Sequence, residues 1–332
     1  VPSLELASID DFLGPRDSRF LGEGFKRVEH SLRHITVSPG AEGVGGIEAT
    51  AHISIPGLWS RKGDESQKPH LSTIDLMLFG AQLTGLYAAH ALGLPPDARF
   101  AVQSIDMKAG SSPDEDELAK FPVSGRLVAA EWDGEEGSTT VDCRIGSLSA
   151  RVHARHSAGG AQVGTTRGYD GEDELPGPWN TAPYGIPHRA RQQLLTAVSV
   201  TAEGTADPRA SARVALASDR EGTVPTDAPA TMIDAFVAAL QLGQVLLYAL
   251  DGFERARSNT LWMRRTRITA GTAPAGREDE VTAALERPLL LPSPEGTWRT
   301  AKVIGSFHGV QARASVAHLL PASRPGDPLR TE

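Results

Sequence analysis

The sequence predicts an α+β protein built as two tandem copies of one unit, each a long central helix wrapped by an antiparallel sheet. Three observations predict it. First, the stretch Ser72–Leu83, STIDLMLFGAQL, is written again 159 positions later at Thr231–Leu242 as TMIDAFVAALQL, with Ile-Asp and Gln-Leu in register. Second, three shorter matches keep the same order: Thr36–Gly43 with Ala197–Gly204, Lys108–Gly110 with Thr269–Gly271, and Arg144–Ser147 with Val303–Ser306, at offsets of 161, 161 and 159. Landmarks in one order at nearly one spacing mark a duplicated unit. Third, both helical stretches are apolar almost all round. Asp75 is the only carboxylate between Leu71 and Ala89, and Asp234 the only one between Ala228 and Leu250. A helix of that kind must be covered on every side, which a flat layer of sheet cannot do.

Each copy reads in the same order. The first opens with two β-rich runs, Arg27–Ser38 and Gly46–Ile55, followed by a turn-rich loop over Pro56–His70 and then the helix. Three long strand candidates follow: Arg99–Gly110, Val123–Asp133 and Ser138–His156. The second copy repeats the series with Leu194–Val200, Ala210–Ser218, the helix, Thr260–Gly271, Asp279–Leu291 and Trp298–His318. Polar, glycine-rich residues 158–178 read as a linker, so the expected domains are 1–157 and 179–322.

Composition narrows the function classes. The 332 residues are 40% hydrophobic, enough for a substantial core. A net charge of −8 without a basic block disfavours nucleic acid as a partner. The longest apolar runs carry charge, glutamine or glycine, so no membrane span is expected. Cys143 stands alone, which excludes an internal disulfide and fits a reducing, cytoplasmic setting, and no signal-peptide pattern opens the chain. Gly43–Gly46, GVGG, lacks the spacing of a dinucleotide loop, and His153 and His156 fall on opposite faces of a strand, so neither a cofactor nor a metal is expected.

Candidate site residues follow from what the repeat keeps and what it changes. Ser72-x-x-Asp75 and Thr231-x-x-Asp234 match the helix capping box, a structural role; the alternative is catalysis, as general base or as orienter of a histidine. If Asp227 caps the second helix instead, with Pro229 in its first turn, Asp234 lies deeper. Gln82 and Gln241, two turns further along, are buried amides that need partners. His70, just before the first helix, has only Thr226 or Asp227 opposite it, which makes it a catalytic candidate. His308 is also unpaired, opposite Ser149 on the last strand of the second copy. Arg264, Arg265 and Arg267 replace the VQSIDMK pattern of the first copy, and alternation puts Arg265 and Arg267 on one face, either solvated or holding a phosphate or an acidic carrier protein.

The N-terminal segment Ser8–His30, SIDDFLGPRDSRFLGEGFKRVEH, together with HLSTIDLMLFGAQL at His70–Leu83, resembles the AvrD family of bacterial avirulence proteins over nearly the whole chain. Two wrapped helices in one chain resemble a double hotdog, similar in plan to the A-factor biosynthesis family. The resemblance implies a cytoplasmic enzyme that joins a β-ketoacyl thioester, on acyl carrier protein or coenzyme A, to a small ketose or polyol, giving a syringolide-like acylated sugar lactone or a related butenolide. A hotdog thioesterase or dehydratase, or a non-catalytic acyl-binding protein, stays open, as does the choice between monomer and homodimer. For this chemistry the expected catalytic residues are His70, Asp75 and Asp234, and the expected substrate contacts are Arg265, Arg267, Gln82, Gln241 and His308.

Overall fold

A computed structural model describes residues 3–110, 113–160, 164–175, 177, 186–202, 204–218, 230–271 and 279–321. The chain runs β1 (Leu4–Ser8), α1 (Asp10–Leu13), β2 (Glu29–Ser38), β3 (Gly46–Ser54), β4 (Arg61–Lys62), β5 (Glu65–Ser66), α2 (Thr73–Ala91), β6 (Phe100–Lys108), β7 (Phe121–Asp133), β8 (Glu136–Ile145) and β9 (Leu148–Ser157). It continues with β10 (Arg167–Gly171), β11 (Arg191–Thr201), β12 (Arg209–Ser218), α3 (Met232–Leu250), β13 (Trp262–Thr269), β14 (Glu280–Ser293), β15 (Gly296–Phe307) and β16 (Val310–Leu319). Fourteen of the strands form one antiparallel sheet in the order β1-β11-β12-β14-β15-β16-β13-β6-β9-β8-β7-β3-β2-β10, while β4 and β5 form a separate small hairpin.

That order is nearly a palindrome. Going outward from the centre, the first half runs β6-β9-β8-β7-β3-β2 and the second β13-β16-β15-β14-β12-β11. The halves meet at β6 and β13, where Asp106 faces Arg267 and Ser104 faces Thr269. The N-terminal strand β1 crosses to the second half and pairs with β11. Strand β10, inside the segment expected to be a linker, pairs with β2 at the opposite edge.

Helices α2 and α3 have 19 residues each and begin on equivalent capping boxes. Thr231, rather than Asp227, caps α3; Asp227 and Pro229 lie outside the described residues. Burial follows the apolar pattern: every residue of α2 from Ile74 to Ala91 is buried, as is most of α3. Small residues let the helices lie close to the sheet. A Cβ on Gly80 would stand 3.0 Å from Val152, and one on Gly243 would stand 2.6 Å from Val303. By length and hydropathy α3 could cross a membrane, but 83% of that window is buried within the protein.

The strands depart from the expected registers in two places. Bulges at His34 and Ala197, both with positive φ, align β2 with β11 two residues away from the sequence match, so Val37 corresponds to Val200 and His30 to Gln193. The burial patterns of the two strands agree in that register, because which side chains face the helix is fixed by packing and not by letter identity. The long runs Ser138–His156 and Trp298–His318 are hairpins rather than single strands. They turn at Gly146 in the first half and at His308-Gly309 in the second. His308 therefore sits on a turn, with φ 48° and its ring beside Phe307, and corresponds to Gly146 rather than to Ser149.

Candidate functional site

The two halves enclose a cleft of about 370 Å³ between the start of α2 and the middle of α3. That volume lies within the ~300–1,000 Å³ typical of small-molecule sites. Its lining combines the apolar side chains of Phe20, Leu21, Trp59, Leu240, Trp262 and Met263 with His70, Ser72, Thr73, Gln244 and a group of cations.

Local sequence places these groups. The β4–β5 hairpin and its flanks hold Trp59, Ser60 and Lys62 over the opening of α2. The capping box occupies the amides of Ser72 and Asp75, at 2.6 Å to Asp75 Oδ2 and 3.2 Å to Ser72 Oγ. The amides of Thr73 and Ile74 remain as first-turn donors at the positive end of the helix dipole, and Thr73 lines the cleft. His70 packs edge-on against Trp59, with ring centroids 4.6 Å apart, and its Nδ1 lies 3.4 Å from the Lys68 carbonyl. Burial pushes its pKa below the usual histidine value, outweighing the carbonyl of Lys68 and the carboxylates of Asp75 and Glu115. At neutral pH it is an unprotonated imidazole, the form a general base requires.

The expected His70–Asp75 pair does not form. Asp75 turns away from the cleft, and its Oδ1 lies 2.6 Å from Nε2 of His30 on β2. In the second half Asp234 accepts from Gln193 at 2.8 Å, Arg191 at 3.0 Å and the Thr231 amide at 2.8 Å. Both carboxylates are buried, neither lines the cleft, and both tie a helix start to a strand.

The repeated amides have diverged. Gln241 accepts a 2.8 Å hydrogen bond from Arg19, which reaches it from the N-terminal segment, while Gln82 Oε1 is buried without a partner among the described residues. Neither reaches the cleft. Arg265 and Arg267 are more than half exposed and lie near Asp106, at 3.5 and 3.4 Å. Arg265 borders an open, mixed-charge hollow that faces away from α2, with Arg126, Arg151, Glu48 and Asp142; Arg267 and His308 border neither hollow nor cleft. The lining of the hollow among the described residues is dominated by charged and hydroxyl side chains and includes no histidine, so it lacks the apolar surface and the candidate base that the cleft combines. Cys143 is buried on β8, and burial pushes its thiol up to about 12, which makes it inert.

Sequence reasoning missed Arg19, Lys62, Arg255 and Gln244, all of which line the cleft. Lys62 comes from the turn-rich loop Pro56–His70 and Arg19 from the N-terminal segment, which the repeat does not cover, and the crossing of that segment brings Arg19 to α3. The signal available for Gln244 was that Gly85 stands opposite it in the repeat.

No curated protein matches the chain. Among solved structures it is similar to the tesB protein of Mycobacterium avium subspecies paratuberculosis, at 12% identity and a TM-score of 0.38, covering 82% of this chain and 92% of that one. It is also similar to the 12:0-ACP thioesterase of Umbellularia californica, at 9% identity and a TM-score of 0.39, covering 82% and 94%. A protein of unknown function with a hot dog fold from Alicyclobacillus acidocaldarius gives 12%, a TM-score of 0.34, and 86% and 96%. The model of the Pseudomonas avirulence D protein family matches residues 4–321, and the chain belongs to this AvrD family.

Proposed function

We propose that this protein is a double-hotdog enzyme that condenses a β-ketoacyl thioester with a small ketose or polyol, and that the reaction takes place in the cleft between its halves. The observation that carries the reading is the cleft itself: apolar side chains that suit an acyl chain line it together with a neutral histidine and the start of a 19-residue helix.

The chemistry assigns each group a task. His70 removes the proton from the attacking hydroxyl as its oxygen bonds to the thioester carbonyl carbon. The oxyanion that forms is stabilised by the helix-start amide of Thr73. Collapse breaks the C–S bond, and the proton held by His70 passes to the departing thiolate, leaving an ester and a thiol. The acidic carbon between the two acyl carbonyls can then add to the ketose carbonyl, closing the lactone ring with a new hydroxyl. Asp75, fixed by His30, holds the helix start in place and has no proton to move in this scheme.

The test is to incubate the purified protein with a β-ketoacyl thioester, with and without candidate ketoses, and to weigh the products. The proposal expects a thiol and an acyl-ketose adduct only when the ketose is present. Free β-keto acid in both reactions would make the protein a thioesterase. An unconsumed thioester that nonetheless binds would make it an acyl-binding protein.

A further inference from the structure

Of the four lysine and arginine side chains that line the cleft, Lys68 pairs with Glu115 and Arg19 with Asp10, while Lys62 and Arg255 meet no carboxylate among the described residues. Arg19 is 3% exposed; it donates to Gln241 and pairs with Asp10, while its Nε is buried without a hydrogen-bond partner among the described residues. Arg255, 8% exposed, donates to the Arg61 carbonyl at 2.8 Å and to Ser60 Oγ at 3.3 Å. Lys62 Nζ donates to the carbonyls of Ser258 at 3.2 Å and Asn259 at 2.5 Å. These neutral acceptors fix the cations in place without cancelling their charge. The carboxylates of the cleft are engaged elsewhere: Asp114 accepts from the Ser147 amide at 2.7 Å, and Glu115 pairs with Lys68 at 2.8 Å.

The cations also act on one another. Burial, with Arg255 adding to it, lowers Lys62 to about 7. Burial lowers Arg19 to about 10, partly offset by Asp10 and reinforced by Arg255. Buried like charges with so little compensation are a poor arrangement for the empty protein and a good one for holding an anion.

We propose that this end of the cleft binds a phosphate-class oxyanion carried by a substrate, with Arg19, Lys62 and Arg255 as its ligands. The inference rests on the reading of the cleft as the substrate site. Arg19, Lys62 and Arg255 outnumber Asp10 and Asp114, Lys68 and Glu115 being paired with each other, and guanidinium forks suit the oxygens of a phosphate. Two sources share this chemistry, the phosphate of a pantetheine arm on the thioester and a phosphorylated polyol.

Calorimetric titration of the full chain with inorganic phosphate, at constant ionic strength, tests the site. Saturable binding is expected, weakened at least tenfold in Lys62→Gln and in Arg255→Lys. Arg151→Gln, which removes a guanidinium from the far face of the sheet, should bind as the unaltered protein does. If Arg255→Lys does not fold, Lys62→Gln decides, because that residue sits on a two-residue strand of a small hairpin. Parallel titrations with pantetheine 4′-phosphate and glycerol 3-phosphate identify the source by the tighter partner. No saturable binding, or equal affinity in Lys62→Gln and the unaltered protein, would mean an adventitious ion only and overturn the site. Phosphate binding without any condensation product would leave the site standing and sink the proposed reaction, whereas condensation without phosphate binding would do the reverse.

Discussion

The starts of α2 and α3 are built alike and put to different uses. Each has a hydroxyl N-cap, an aspartate at the third position and a closed capping box. At α2 the spare carboxylate oxygen meets His30 and the helix end opens onto the cleft. At α3 it meets Gln193 while its partner oxygen meets Arg191, and α3 gives the cleft its middle turns instead, through Leu240, Gln244 and Tyr248. Both halves keep the joint between helix and strand; the proposed chemistry uses residues that one copy has and the other lacks.

The largest expected effect tests the difference between the two joints. Asp234→Ala breaks a buried ion pair with a guanidinium that cannot shed its charge, and should cost about 3–5 kcal/mol in urea denaturation. Asp75→Ala removes an equivalent cap but faces a single histidine nitrogen rather than a guanidinium and an amide, and should cost about 1–2 kcal/mol. Equal losses would mean that the strand-side partner does not matter and that the two joints are one device.

His70→Ala should lower thioester turnover by about 10²–10⁴-fold, the usual contribution of a general base, while denaturation midpoints move little. Because burial lowers the pKa of His70, its basic form persists to a lower pH than an ordinary histidine allows. Turnover in the unaltered protein should therefore rise with pH through a value below 6.5 and be flat at neutrality. A midpoint above the ordinary histidine value would assign the base to another group.

The two glutamines sharpen the comparison within the helices. Gln241→Leu takes an acceptor from buried Arg19 and should cost about 1–3 kcal/mol. Gln82→Leu removes an oxygen that already lacks a partner and should be neutral within about 0.5 kcal/mol. Smaller still, Arg265→Ala and Arg267→Ala alter exposed pairs with Asp106 and should each change stability by less than about 1 kcal/mol, leaving thioester turnover intact.

What was legible in the sequence follows from what is local. The capping boxes, the all-round apolar helices and the strand order all come from patterns within a few residues, and the helix repeat at Asp75 and Asp234 is in register in the structure. The register of β2 against β11 was not legible, because a bulge obeys packing rather than letter matching; that hid His30. The turn at His308 looked like strand because the residues around it alternate correctly. The cations of the cleft were hidden for a different reason. Arg19, Lys62 and Arg255 lie far apart in the chain, and pairing of β1 with β11 carries the N-terminal segment onto the second half, where it reaches Gln241.

In the proposed reaction the thioester reacts in one cleft, made jointly by both halves. Gln244 reaches that cleft from α3 and has no counterpart amide in α2, so Gln244→Trp fills space in the cleft while leaving His70 and the residues at the start of α2 unsubstituted. The direct measurement is the single-turnover rate of β-ketoacyl thioester consumption by this variant, with its fold verified by circular dichroism. At least a tenfold loss of rate in a folded protein is expected; an unchanged rate would place the reaction elsewhere on the molecule.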